Sequence, residues 1–214
     1  MSSSSLKHLL GNTPASSEIS NFLLELNKGD TPQPEVKSYP DAVYFNYYPL
    51  GISLLYTPIR GYKPRTGLRR EELDAEKLSL DSIDVYNIAK IKDVSKPGAT
   101  RSSEIAFKTF VKLPIDIDIS QDKTDSEGKL VSRPSKITIS EMSVGKDFVG
   151  AMGEPDRKGG GSGPSSGSIG IWCEWSADGL MVEFGGDEAR GPQAWERGKD
   201  AIWRVMTIFT PKSN

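Results

Sequence analysis

Histidine and cysteine are almost absent: the 214-residue chain holds one of each, His8 and Cys173. Histidine is the commonest acid–base side chain and metal ligand, so a Ser/His/Asp or Cys/His device would have to be built on His8. That residue sits in the Ser-rich start MSSSSLKHLL, where nothing suggests rigidity. One cysteine and one histidine cannot fill a zinc site within one chain, and no metal or cofactor is expected. A lone cysteine forms no internal disulfide, in keeping with a reducing compartment. Apolar runs fall far short of the roughly 20 residues that cross a bilayer as a helix, and the N-terminal stretch lacks the apolar centre of a secretory signal. A cytoplasmic or nuclear protein is expected. Lys and Arg number 27 against 29 Asp and Glu, a net charge of −2 without the basic excess that neutralises a phosphate backbone. Neither nucleic acid nor a membrane is therefore expected as partner.

Two aromatic-rich stretches stand out, Ala42 to Tyr56 (AVYFNYYPLGISLLY) and Gly170 to Phe184 (GIWCEWSADGLMVEF). Each is an alternating run, a turn and a second alternating run, the pattern of a β-hairpin. Laid over one another without a gap they match Val43 with Ile171, Gly51 with Gly179 and Tyr56 with Phe184, a constant spacing of 128 residues (171 − 43 and 184 − 56). A recurrence at fixed spacing predicts a duplicated unit.

The flanking sequence extends the match. Ile19, Phe22, Leu23 and Leu26 recur at helical spacing after Thr13-Pro14, with Ser16 or Ser17 as alternative caps. A second short helix carries Phe148, Val149 and Met152 behind Ser143 as cap, and ends at Gly153 and Pro155. Phe22 and Phe148 stand 126 residues apart (148 − 22), close to the hairpin spacing. Third strands follow at Leu80 to Tyr86 and Ala201 to Phe209. The chain thus divides into a disordered leader (1–12), a first αβββ unit (13–86), a connecting segment with one strand (87–138) and a second αβββ unit (139–214). The expected fold is α+β: two αβββ repeats forming one mostly antiparallel six-stranded sheet with helices on one face.

Alternation assigns faces. Val43, Phe45, Tyr47, Cys173, Trp175, Val182 and Phe184 belong under the helices, leaving Tyr44, Asn46, Tyr48, Trp172, Glu174, Met181, Glu183 and Arg204 on the open side. Tyr and Trp beside polar groups have the composition of interaction hot spots. A non-enzymatic binding role for this face, toward a protein or small ligand, is the leading expectation. The competing one is a glycosidase-like hydrolase in which Glu174 and Glu183 face one another on adjacent strands, with Trp172 as a sugar platform.

The segment VGKDFVGAMGEPDRKGG (144–160), a short helix ending in Gly-x-Pro at Gly153-Glu154-Pro155 and followed by strands, resembles the helix-and-sheet repeat of the β-lactamase inhibitory proteins and of the small outer-membrane lipoproteins of the barrel-assembly machinery. The resemblance covers mainly the second half and implies a non-catalytic binding sheet with partner contacts on the open face. The lipoprotein signal and disulfide cysteines of those families are missing, so their extracellular partners are not implied. The Gly-Glu-Pro and Gly-rich segment is similar to that of a wider set of proteins from which no function follows.

Two sharper motifs fail on their own chemistry. The Gly-rich run Lys158 to Gly167 lacks the Gly-Lys-Ser/Thr of a phosphate loop and follows a helix where such loops precede one; it reads as a connector. Asp116, Asp118, Ser120, Asp122 and Glu127 match calcium-loop spacings, but Gln121 stands where the loop needs Gly, and Ile117 and Ile119 favour a strand.

Overall fold

Two-residue alternation produces one large antiparallel sheet. The computed structural model describes residues 1–88, 106–120, 123–124, 130–161 and 170–212. Eight of its strands are β1 (Glu35–Ser38), β2 (Val43–Tyr47), β3 (Ile52–Pro58), β4 (Leu78–Tyr86), β9 (Arg157–Gly159), β10 (Trp172–Trp175), β11 (Leu180–Phe184) and β12 (Trp203–Phe209). They pair in the order β1-β2-β3-β4-β12-β11-β10-β9. The six strands expected from the sequence are all there. The two additional strands, β1 and β9, form the sheet's edges. Both are short and charged, as edge strands are when they discourage pairing with another chain, and for that reason they carry no apolar alternation to reveal them.

The hairpins keep one register. Tyr47 faces Ile52 and Tyr44 faces Leu55, while Trp175 faces Leu180 and Trp172 faces Glu183, each pair displaced by 128 residues from its counterpart. A register shift interrupts β3–β4 between Leu55 and Tyr56, and another interrupts β11–β12 between Glu183 and Phe184, again at that spacing. The two four-stranded halves meet at β4–β12, where Asp84 faces Thr207 and accepts its hydroxyl at 2.7 Å.

Helices cover one face. Helix α1 is Ser3–Lys7, α2 Ser17–Leu26, α3 Gly145–Met152 and α4 Ala194–Arg197. Ser16 caps α2 by accepting from the Ile19 amide, and Ile19, Leu23 and Leu26 are its buried stripe. At α3 the N-cap position falls on Val144, whose amide donates to Asp147 of the first turn at 2.8 Å, whereas the expected cap Ser143 accepts from the Ser140 amide. These stripes share one core with Val43, Phe45, Leu54, Trp175, Val182 and Trp203 of the sheet.

The start of the chain departs from expectation. Rather than a disordered leader it forms α1, with Leu6 fully buried and Leu9 nearly so. Its serines are ligands: Asp118 accepts from the Ser4 amide at 3.0 Å and from the Ser4 hydroxyl at 2.6 Å, and also from the Ser3 hydroxyl. Composition reads serines as disorder, but here they hold a buried apolar pair against the next layer. That layer is β5 (Ile115–Asp118) paired with β8 (Lys136–Ile139), a strand not anticipated; β6 (Lys123–Thr124) pairs with β7 (Leu130–Val131). Residues 59–77, rich in charge, are irregular apart from two single 3-10 turns, at Arg70–Glu72 and Ala75–Lys77. Most of the Gly-rich connector lies outside the described residues.

Two tyrosines bury their phenols in the core, Tyr47 and Tyr56. Burial disfavours the phenolate and pushes Tyr47 up to about 12, and Tyr56 higher still. A folded-state value above the unfolded one near 10 leaves stability intact below pH ~10 and lowers it as the pH climbs toward 12, because the unfolded chain then releases the proton first. Urea unfolding between pH 8 and 11.5 is expected to show this loss. Tyr47→Phe should remove its share, about 2–3 kcal/mol by pH ~12.

Candidate functional site: the outward sheet face

Side chains that alternate away from the core form three rows across the sheet. The central row runs Glu35, Asn46, Ser53, Asp84, Thr207, Met181, Glu174 and Arg157; a second runs Lys37, Tyr44, Leu55, Ser82 and Phe209; the third runs Tyr86, Val205, Glu183, Trp172 and Gly159. Tyr44, Leu55, Trp172, Met181, Glu183, Thr207 and Phe209 are each half-buried, so the face mixes aromatic, aliphatic and polar surface.

Of the eight residues expected on this face, the structure places Tyr44, Asn46, Trp172, Glu174, Met181 and Glu183 in the rows, and Tyr48 at the hairpin tip beside them. Three are less available than alternation suggests. Asn46 is buried and accepts from the Ser53 hydroxyl at 2.8 Å. Glu174 is buried, accepts from the Ser176 hydroxyl at 2.8 Å and lies 3.2 Å from Arg157 and 3.7 Å from Lys212. Arg204 is the extra residue at the β11–β12 shift, between Trp203 opposite Phe184 and Val205 opposite Glu183, and it is buried. A bulge takes its residue out of the two-residue count, so alternation alone does not fix the direction of this side chain.

Trp172 rests on its neighbour strand. A side chain on Gly159, its pairing partner, would run into the indole. The edge glycine gives the ring a flat seat, so Trp172 supports the sheet edge as well as presenting a face.

Glu174 and Glu183 do not face one another. The register sets Glu174 opposite Met181 and Glu183 opposite Trp172, a diagonal arrangement in which neither carboxylate has the other as cross-strand partner. Two cations and a hydroxyl already occupy Glu174.

The flanks of the face are clasped at both hairpin tips. Lys108 donates its backbone N–H to the Tyr48 carbonyl at 3.0 Å, and Lys212 donates likewise to the Ser176 carbonyl at 3.0 Å. On the first side Phe107 stacks on Tyr86 at 3.7 Å and meets Tyr48 edge-on at 4.5 Å. A groove of about 670 Å³ remains there, lined by Lys37, Tyr39, Asp41, Tyr44, Tyr48 and Phe107 among others. On the second side Lys212 lies over the Phe209 ring, beside a recess of about 430 Å³ bordered by Asp81, Glu174, Met181 and Pro211. Phe107 and Lys212 leave no pattern in the sequence because they sit in irregular chain. Tyr86 and Phe209 were legible, since each follows an inward residue at the end of its strand.

Electrostatics at the first groove are set by burial and acids. Burial pushes the Tyr44 phenol up, with Asp84 and Asp41 adding to it; burial does the same for Tyr48, whose hydroxyl donates to Glu35 at 3.0 Å. Both stay protonated donors at neutral pH. Among the described residues no cluster of His, Cys, Asp and Glu is arranged to hold a metal ion, and no helix is long and apolar enough to cross a membrane.

Comparison with models of known protein families, with curated proteins and with solved structures finds no match.

Proposed function

We propose that this chain is a non-enzymatic binding protein that presents the outward sheet face, centred on Tyr44, Tyr48, Trp172 and Met181, to a protein partner. The observation that carries the reading is the contrast between the two faces of one sheet. One packs against α1, α2, α3 and the β5–β8 pair, while the other keeps half-buried aromatic and aliphatic side chains between two clasped ends. Large amphipathic rings near polar groups, on a rigid sheet, provide anchors at small entropic cost. Asn46, Glu174 and Arg204 belong to this reading as buried supports beneath the contact surface.

The same proposal treats the two halves as a duplicated unit of one helix and four strands, after the manner of the β-lactamase inhibitory and barrel-assembly lipoprotein repeats. The shared hairpin register and the matching register shifts support it. It also places the protein in the cytoplasm or nucleus, in keeping with its single, buried cysteine.

Affinity capture from native lysate with wild type, Tyr44→Ala and Trp172→Ala tests the reading. Each substitution is expected to weaken capture by about 2 kcal/mol, roughly 30-fold, with Tyr44→Ala leaving the melting temperature unchanged. Capture that survives both substitutions would remove the face from the account.

A further inference from the structure

The two hairpins differ at one inward position. Phe45 of β2 faces Leu54, and at the matching place in β10 Cys173 faces Val182. In the first half the Phe45 ring lies 5.1 Å from Tyr56, with the Arg70 guanidinium over its face at 5.8 Å. Helix α2 is matched by α3, with Leu23 in the place of Val149, so the second half has a smaller side chain on both the sheet and the helix. A cavity of about 450 Å³ stands there, on the helix side of the sheet, its walls formed by Val149, Ile171, Cys173, Phe184 and Trp195. That lies within the range of small-molecule sites, about 300–1,000 Å³, and its mostly apolar walls with a few polar groups fit the same class.

The polar groups are concentrated in three lysines and one carboxylate, Lys146, Lys158, Lys199 and Glu154. Lys146 is paired with Asp200 at 3.1 Å. Lys158 pairs with Cys173 across β9–β10, which puts both on the same side of the sheet; its ammonium lies 5.6 Å from the centre of the exposed Trp195 ring and 3.9 Å from Glu154. Counting Asp200, three cations stand against two anions around an apolar interior. The excess cation favours a ligand with one negative charge, and the walls favour an apolar body behind it.

We infer that this cavity is a binding site for a monoanionic amphiphile, a fatty-acid-like carboxylate whose apolar body enters toward Cys173 and whose carboxylate meets Lys158 and Lys199. The site is separate from the binding face, being on the other side of the sheet, and its test is independent of that face.

The experiment uses the full chain with laurate as probe and dodecyltrimethylammonium as the cationic counterpart of the same chain length. Binding is followed by titration calorimetry, and Cys173 alkylation by iodoacetamide reports occupancy of the cavity. Laurate is expected to bind and to slow alkylation at least fivefold, and the cationic amphiphile to do neither. Cys173→Phe, which restores the ring of the first hairpin, should abolish laurate binding. Lys158→Glu, an exposed change that leaves the core untouched, should weaken it at least tenfold and so keeps the test valid if the filled core packs poorly. Absence of laurate binding, binding that leaves alkylation unchanged, or equal uptake of the cationic amphiphile would each overturn the inference.

Discussion

Asp178→Ala is expected to destabilise the fold by about 3–5 kcal/mol, the cost of stranding a buried charge. Asp178 and Arg133 form a two-pronged ion pair at 2.8 and 3.1 Å, with both side chains only 1% exposed. The pair ties separate parts of the chain together. Arg133 also donates to the Met152 carbonyl at the end of α3 and to the Ser120 carbonyl, while Asp178 accepts from the Ser120 amide at 2.7 Å. The Asp178 carbonyl takes the Lys7 ammonium of α1 at 2.7 Å. Removing the carboxylate leaves the guanidinium in the core with two carbonyls and no counter-charge. Urea unfolding of Asp178→Ala should show the loss as a lower midpoint, and the double variant Arg133→Met with Asp178→Leu should recover part of it, since apolar replacement removes the unpaired charge. A cost under ~1 kcal/mol for Asp178→Ala would mean that the pair is not buried as described.

Gly51→Ala is the second change expected to have a large effect, about 2–5 kcal/mol. Gly51 closes the first hairpin at φ +68°, in the left-handed region, which costs a side-chain-bearing residue about 1–2 kcal/mol. An added Cβ would also strike the Lys108 carbonyl and the Phe110 backbone, where the segment after residue 105 clasps the hairpin tip. That overpacking adds about 1–3 kcal/mol. Gly67, at φ +81° with nothing within 4 Å of a built Cβ, separates the two terms. Gly67→Ala should show the conformational part alone, and the difference in unfolding midpoint measures the clasp. Equal effects at the two positions would show that the clasp carries no load.

Alternation along the chain is enough to reveal the two hairpins, the pairing partners Leu80 to Tyr86 and Ala201 to Phe209, and the outward direction of Tyr44, Trp172, Met181 and Glu183. The pattern states which side of a strand a residue occupies; it says nothing of what then covers it. Asn46 and Glu174 point outward and are buried all the same, by Ser53 in one case and by Arg157, Ser176 and Lys212 in the other. A bulge interrupts the count, as at Arg204, whose direction the two-residue period does not fix. Edge strands escape for a different reason, because Glu35–Ser38 and Arg157–Gly159 gain their structure from pairing with β2 and β10 and have little pattern of their own. Helix α1 was hidden by its serines, whose role depends on Asp118, more than a hundred residues away in the chain. Long-range pairing of that kind leaves no local trace. The cavity beside Cys173 was half legible: the exchange of Phe45 for Cys173 is visible in the matched hairpins, but the failure of the surrounding helix to close the gap is not.

Hydroxyl-radical footprinting of the chain with and without its captured partner tests the central claim most directly, since it reads side-chain exposure at named residues. Labelling of Tyr44, Tyr48, Trp172 and Met181 is predicted to fall in the complex, while the exposed Met142 and Trp195, away from that face, label as before. Protection of Trp195 or Met142 with Tyr44, Tyr48, Trp172 and Met181 unchanged would contradict the assignment of function to the outward sheet face.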